Sequence, residues 1–205
     1  KNAEDAIIKN KSSENIFEFH SDLSHRIYNL NDSTYLLKLD SVKQKRNLYL
    51  REIFKNELLK IDDFDFSLEI LDGPLIDKRD IKNKISIFNF FSSWCEPCKA
   101  MIPAYNLLND ELLEDELVEL VAVNIWENNR YTNEEFKKFI KQNDILYPVA
   151  RDNFDVFPRQ IGITGLPTIA ILDKNSEIRF IIRGFSNNES LINDILARVD
   201  FLLNY

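Results

Sequence analysis

The order of extended and helical patterns predicts an α/β fold, a mixed central sheet flanked by helices, preceded by an N-terminal helical hairpin. Residues 84–91, KISIFNFF, form an aromatic and β-branched run with no charge after its first residue, as a strand covered on both faces requires. Residues 117–150 read as strand, amphipathic helix, strand, a β-α-β alternation. Residues 169–183 read as two extended runs around Asp173-Lys174-Asn175-Ser176, a set of turn formers that folds a hairpin.

The chain has 205 residues, enough to bury an ordinary core without staples. With 44% hydrophobic and 29% charged residues, and only 4 Gly and 6 Pro, it has neither a fibrous nor a disordered composition. The formal net charge of -8 argues against nucleic acid or an anionic membrane as partner, because both need clustered positive charge. Residues 1–60 carry 11 basic and 9 acidic side chains, whereas residues 61–205 carry 15 and 25. This shift sets the expected boundary: a helical N-terminal extension over 1–60 and the α/β domain over 61–205. No stretch has the roughly 20 apolar residues that span a bilayer, and the polar start at Lys1, without Met, holds no targeting segment. That start fits a processed or trimmed chain from which an export signal or lipid anchor has been removed.

Ile16, Phe19, Leu23, Ile27 and Leu30 step by three and four, which predicts a helix over 12–30. Asn31, Asp32 and Ser33 offer caps for a second, whose apolar stripe runs through Tyr35, Leu39, Val42, Tyr49, Ile53 and Leu59. The hairpin either packs on the following domain or offers a partner or dimer surface over 12–60. FSLEILDGPLID then gives two short strands around Asp72-Gly73-Pro74. After the run at 84–91, Trp94-Cys95-Glu96-Pro97-Cys98 opens a helix on which Ile102, Tyr105, Leu108 and Leu112 share a face. Further elements are expected as a strand over 117–126, a capped helix over 132–142, a strand over 146–150 and a short helix over 154–161. The strand pair at 169–183 and a closing helix over 188–203 complete the chain.

Cys95 and Cys98 are the only cysteines. At the first turn of a helix, free N–H groups and the positive end of the helix dipole favour a thiolate, the form that attacks disulfides. Cys95 is therefore the candidate nucleophile and Cys98, one turn inside, the resolving thiol. Pro97 costs nothing at the first helical turn, where its missing N–H would have no intrahelical partner. Three other readings stand beside this one. A purely structural disulfide would close a four-residue loop and remove only about 2 kcal/mol of unfolded-state entropy. A zinc half-site would need His20 and His25, some 70 residues away on a separate helix. The pair could also be vestigial in a non-catalytic interaction module that docks partners through its N-terminal helices. A peroxidatic site lacks the upstream Pro and Thr that such chemistry uses.

Asn89-Phe90-Phe91-Ser92-Ser93-Trp94-Cys95-Glu96-Pro97-Cys98-Lys99, followed about 70 residues later by Gly165-Leu166-Pro167-Thr168, resembles the thioredoxin superfamily. More narrowly it resembles the TlpA-like extracytoplasmic thiol-disulfide reductases, which include cytochrome-maturation proteins. The resemblance covers about residues 64–203 and implies a thioredoxin-like three-layer fold. It implies that Pro167 is cis and lies against the sulfurs, with Leu166 and Thr168 beside it pairing with a substrate segment. Trp94 would flank the sulfurs. Asn89 stands where thioredoxins proper carry a buried Asp, as it does in TlpA-like proteins, and Asn89 cannot take a proton. Some TlpA-like reductases place a Glu where this chain has Met101. Glu96 and Lys99 bring opposite charges near the thiolate, and each is equally readable as a solvated surface side chain.

The expected activity is thiol–disulfide exchange with a disulfide-containing protein substrate, in the reductive direction. An upstream thiol electron donor, soluble or membrane-bound, would recharge the pair. Neither a cofactor nor a metal is expected. A single active pair without structural disulfides suits a reducing cytosol or an export compartment. The resemblance favours an extracytoplasmic place, periplasmic or membrane-anchored and facing outward.

Overall fold

A computed structural model describes residues 32–112, 115–127, 132–184 and 187–205, with side chains described from residue 44 on. The helix expected over 12–30, with His20 and His25, lies outside the described residues. The chain divides after Ile53, and Phe54–Tyr205 forms one compact unit. Helix α1, Asp32–Glu57, is the second helix of the expected hairpin. Leu59 falls beyond its end, and the Leu59 N–H donates to the Arg179 carbonyl at 2.9 Å. Among the described side chains of this helix, Phe54, outside the stripe read from the sequence, is the buried one, at 2% exposure. Its ring meets Phe180 and Phe201 edge-on at 5.6 Å, with the Arg198 guanidinium 4.7 Å above it.

The sheet has seven strands in the order β2-β1-β5-β4-β3-β6-β7. Strands β1 (Ser67–Ile70) and β2 (Leu75–Asp77) form the predicted hairpin. Asp72 takes the left-handed turn position at φ 57, and a Cβ on Gly73 would lie 2.7 Å from the Ile70 side chain, so only glycine fits there. Strand β3 (Ile85–Phe91) is central and buried at every residue. It pairs in parallel with β4 (Val118–Asn124) and antiparallel with β6 (Thr168–Leu172). Strand β5 (Val149–Arg151) runs parallel to β4, and β7 (Ile178–Arg183) closes the far edge antiparallel to β6. The sheet is therefore mixed, as the pattern predicts.

The single helix expected after Cys95 is two. Helix α2 (Glu96–Ala100) ends at Met101 and α3 (Ile102–Leu112) follows. Pro103 has no N–H to give the Lys99 carbonyl, so the hydrogen-bond ladder is interrupted there. Helix α4 (Asn133–Gln142) starts in a capping box, with Thr132 and Glu135 exchanging side-chain and backbone bonds. Helices α5 (Val156–Gln160) and α6 (Asn188–Leu203) complete the order.

Alternation along β3 separates two cores. Phe88 and Phe90 point to a face closed by Phe64, Phe66 and Phe157, whose rings lie 4.7 to 6.5 Å apart. Asn89 and Phe91 point to the opposite face, where Phe91 stacks near Phe136 and Phe139 of α4. Helices α3 and α6 pack against each other and lie against β4 and β3. The sheet thus sits between helical layers, and the parallel strands β3 and β4 end side by side.

Candidate active site

The turn that follows β3 is fixed before the cysteines are reached. Ser92 is fully buried, and its hydroxyl donates to the Ile125 carbonyl at the end of β4. Its own carbonyl accepts the Cys95 N–H at 3.1 Å. Cys95 is the N-cap of α2, extended at φ -82 and ψ 100, and its Sγ accepts the Cys98 N–H at 3.2 Å. The Cys95 carbonyl takes the Lys99 N–H. Cys95 and Cys98 form a disulfide, and each is 4% exposed. This end of the helix gives the sulfur of Cys95 a hydrogen-bond donor that a thiolate uses better than a thiol does.

The other residues named from the sequence fall into two groups. Trp94, directly before Cys95, is 58% exposed, with its indole N–H donating to the Trp126 carbonyl at 3.0 Å. Pairing of Phe90 with Thr168 brings the start of β6 alongside the end of β3. The Leu166–Pro167 peptide there is cis, Pro167 is buried and its carbonyl accepts the Gly184 N–H at 3.0 Å. Thr168 is buried, with its hydroxyl donating to the Gly165 carbonyl, and Leu166 packs partly buried against the phenylalanine core. The second group is peripheral or further down the strand. Glu96 and Lys99 pair with each other at 2.7 Å on the exposed side of α2, and Pro97 is exposed in its first turn. Asn89 is 3% exposed, two residues below the end of β3, and its Oδ1 has no hydrogen-bond partner. Met101 is fully buried core, so no carboxylate stands at that position.

Glu127 and Trp126, just past the end of β4, and Asp155, at the start of α5, escaped the sequence reading as site residues. Glu127 accepts the Ser93 N–H at 2.5 Å, the Ser93 hydroxyl at 2.9 Å and the Asn124 amide at 2.8 Å, which ties the cysteine turn to the neighbouring strand. Trp126 adopts φ 56, a conformation disfavoured for a bulky side chain, and its N–H donates to Asp155 Oδ1 at 2.9 Å. No motif spacing marks these residues. The signal that finds them is topological, since the ends of adjacent parallel strands converge on the same site. Beside this turn opens a cleft of about 370 Å³, lined by residues that include Trp126, Glu127, Asn133 and Asp155.

Two phenols lie behind the site in the core. Tyr105 of α3 is fully buried, its hydroxyl has no partner, and burial followed by the nearby Tyr147 pushes its pKa well above the usual phenol value. Burial raises Tyr147 in the same direction. Among the described residues no group of three or more His, Cys, Asp or Glu side chains could hold a metal ion.

The chain matches known proteins over the segment that builds this site. A family described as thioredoxin-like matches residues 83–178. The thiol-disulfide oxidoreductase ResA of Bacillus thuringiensis subsp. konkukian is 32% identical over 127 residues, 62% of this chain and 70% of that protein. The crystal structure of StoA from Bacillus subtilis superposes with a TM-score of 0.54 at 28% identity, over 63% of this chain and 94% of that one. The exposed lipoprotein thioredoxin of Streptococcus pneumoniae superposes with the same TM-score at 26% identity, over 64% and 98%. On this likeness over the segment that holds both cysteines and Pro167, the chain belongs to the thioredoxin-like family of ResA-type, TlpA-like thiol-disulfide oxidoreductases.

Proposed function

We propose that the protein reduces disulfides in extracytoplasmic protein substrates, with Cys95 as the attacking thiolate and Cys98 as the resolving thiol. The observation that carries this reading is the joined pair at the start of α2, with the Cys98 N–H donated to the sulfur of Cys95. In the reduced protein the Cys95 thiolate attacks one sulfur of the substrate disulfide and expels the other as a thiolate, which takes up a proton. Cys98 then gives up its proton and attacks Cys95 Sγ, which releases the second substrate thiolate and restores the disulfide. Two electrons pass to the substrate, and an upstream thiol donor returns them.

Each further role rests on position. Trp94 directly precedes Cys95, and the run Leu166-Pro167-Thr168 leads into β6 beside the end of β3; together they would hold the substrate segment in line for attack. Glu96 and Lys99 set opposite charges side by side near Cys95. Asn89 and Met101 carry no titratable group, so the Cys98 proton leaves to water or to the departing substrate thiolate. We assign residues 61–205 to the catalytic domain and residues 1–60 to a helical extension, of which residues 12–60 offer a partner or dimer surface. No described helix is long and apolar enough to cross a membrane. The likeness to an exposed lipoprotein thioredoxin supports a periplasmic or membrane-anchored, outward-facing place.

Trapping tests the mechanism. The Cys98→Ser variant is expected to accumulate mixed disulfides through Cys95, released by a reductant, while Cys95→Ser accumulates none. Slow alkylation of reduced Cys95 at neutral pH, at the rate of an ordinary buried thiol, would rule the mechanism out.

A further inference from the structure

Asp155 begins α5 but does not cap it. A residue in that place ordinarily turns its side-chain oxygen to the second or third N–H of its own helix. Asp155 makes no such bond and stands left-handed at φ 51. The helix is served from elsewhere: Asp152, 6% exposed, accepts the Phe154 N–H at 3.2 Å and the Phe157 N–H at 2.8 Å. The next position is Pro158, which has no N–H to cap. The carboxylate of Asp155 is thus not engaged with its own helix, and its Oδ1 accepts the Trp126 N–H at 2.9 Å, 29 residues away in the chain.

That bond holds a backbone shape that Trp126 does not favour. At φ 56 its side chain crowds the backbone, and such strain persists where the surroundings enforce it. Rotation about the N–Cα bond carries the carbonyl with it, so the left-handed shape decides where the Trp126 carbonyl points. It points at the Trp94 indole N–H, 3.0 Å away. Trp94 is 58% exposed, so packing leaves most of it uncovered and this hydrogen bond is what orients the ring. A chain of bonds therefore runs from Asp155 through the Trp126 main chain to an exposed indole directly before Cys95. The cysteine turn itself hangs on a separate set, Ser92 on the Ile125 carbonyl and Ser93 on Glu127, in which Asp155 takes no part.

We infer that Asp155 is a positioning residue: by holding Trp126 left-handed it orients the Trp94 indole toward the polypeptide that carries the disulfide under attack, and it leaves the chemistry of Cys95 to the serine and glutamate bonds. The inference rests on the exchange reading above and concerns how the substrate segment is received, not how its sulfur is attacked.

The test follows oxidation of the reduced full chain by a synthetic peptide closed with an intramolecular disulfide, and by bis(2-hydroxyethyl) disulfide, which has no polypeptide to be received. Asp155→Gly removes the carboxylate, suits the left-handed backbone and leaves α5 its Asp152 bonds. It is expected to raise the half-saturating peptide concentration about fivefold at an unchanged limiting rate, the effect of ordering one loose side chain on binding, and to leave the rate with the small disulfide unchanged. Asp155→Asn keeps an oxygen acceptor and tolerates the same backbone, so it should stay within about twofold of the parent. Trp94→Phe removes the donor at the other end of the chain and should raise half-saturation alike, with Asp155→Gly adding nothing on top of it. The Trp94 indole N–H, one of two in the chain, should exchange with solvent faster in Asp155→Gly, read by nuclear magnetic resonance. Thermal unfolding shows which variants are folded, and Trp94→Phe carries the expectation should Asp155→Gly fail to fold. Parent-like half-saturation in folded Asp155→Gly or in Trp94→Phe, an effect that adds in full to Trp94→Phe, or an equal loss with the small disulfide overturns the inference while exchange stands. A reduced parent inert even toward the small disulfide overturns the exchange reading and this inference together.

Discussion

On one face of the sheet, Phe64, Phe66, Phe88, Phe90 and Phe157 pack ring against ring within an apolar core, all of them at or below 6% exposure. Two to four residues beyond Phe90, past the ends of β3 and β4, the chain is held by a different set of forces. Ser92 and Ser93 hang on the Ile125 carbonyl and the Glu127 carboxylate, Trp94 on the Trp126 carbonyl, and Trp126 on Asp155. Apolar packing is non-directional and tolerates many solutions, whereas hydrogen bonds fix positions to a fraction of an ångström. The core makes the sheet stable, and the bonded end aims the cysteine turn. The two regions are expected to fail differently when broken.

The largest effect belongs to the core. Phe157 is fully buried and its ring contacts Phe64, Phe66, Phe88 and Phe90 at once. Phe157→Ala should destabilise the domain by about 3–5 kcal/mol, read by denaturant unfolding, because the surrounding rings cannot all collapse into the space. Exchange per folded molecule should change little, since no polar link to the cysteine turn is cut. A loss of exchange in folded Phe157→Ala would mean that the two regions are not separable.

The bonded end should show the reverse balance. Glu127→Ala removes three acceptor bonds and leaves the donors of partly buried Ser93 and buried Asn124 without a partner. A stability cost of about 2 kcal/mol is expected, smaller than that of Phe157→Ala, with exchange slowed on the order of tenfold by the loosened turn. Glu127→Gln keeps an acceptor and should recover part of the rate. Equal losses of rate in the two variants, or none in either, would remove Glu127 from the positioning of Cys95.

The same contrast explains what could be read from the sequence. The strand at β3 was legible because seven successive buried residues leave an unbroken apolar run, and the cysteine turn because a helix start and a C-x-x-C spacing are both local. Pro103 gave a local signal for the break between α2 and α3, but the apolar stepping through Ile102 and Tyr105 continues across it and hid the interruption. Phe54 lay off the stripe traced through Tyr49 and Ile53, since its partners Phe180 and Phe201 arrive from the far end of the chain. Glu127, Trp126 and Asp155 were invisible for a similar reason. Their partners lie some 30 residues away, and a single carboxylate or indole carries no periodicity.

A third variant probes the helical layer, where a polar atom is buried without a partner. The hydroxyl of Tyr105 makes no hydrogen bond, so Tyr105→Phe should leave stability at pH 7 unchanged or raise it by up to about 1 kcal/mol. Burial raises the phenol in the folded state, so the unfolded chain ionises first as pH climbs past the ordinary value of 10.0. Folding stability should therefore decline above pH 10 in the parent and decline less steeply in Tyr105→Phe, with Tyr147 supplying the remainder. Identical alkaline slopes in the two proteins would place the alkaline sensitivity elsewhere.

The smallest effect lies at an exposed corner, at the end of β2. The Asp77 carboxylate accepts bonds from the Arg79 guanidinium and the Arg79 backbone N–H, and the Asp77 N–H donates to Asp80 Oδ2. The Arg79 bonds lower the Asp77 carboxyl to about 2. A carboxyl depressed on folding stabilises the native state above its unfolded value, near 4, and that contribution disappears as pH falls toward 2. The Arg79 side chain is 90% exposed, so water and salt screen the pair and its effect should sit near the limit of measurement. Arg79→Ala should be slightly less stable than the parent at pH 5 to 7 in low salt, and the difference should vanish by pH 2 or in 1 M salt. A difference that persists at acid pH would show that Arg79 acts through packing of its aliphatic stem, which would make even this exposed corner resemble the core more than the site.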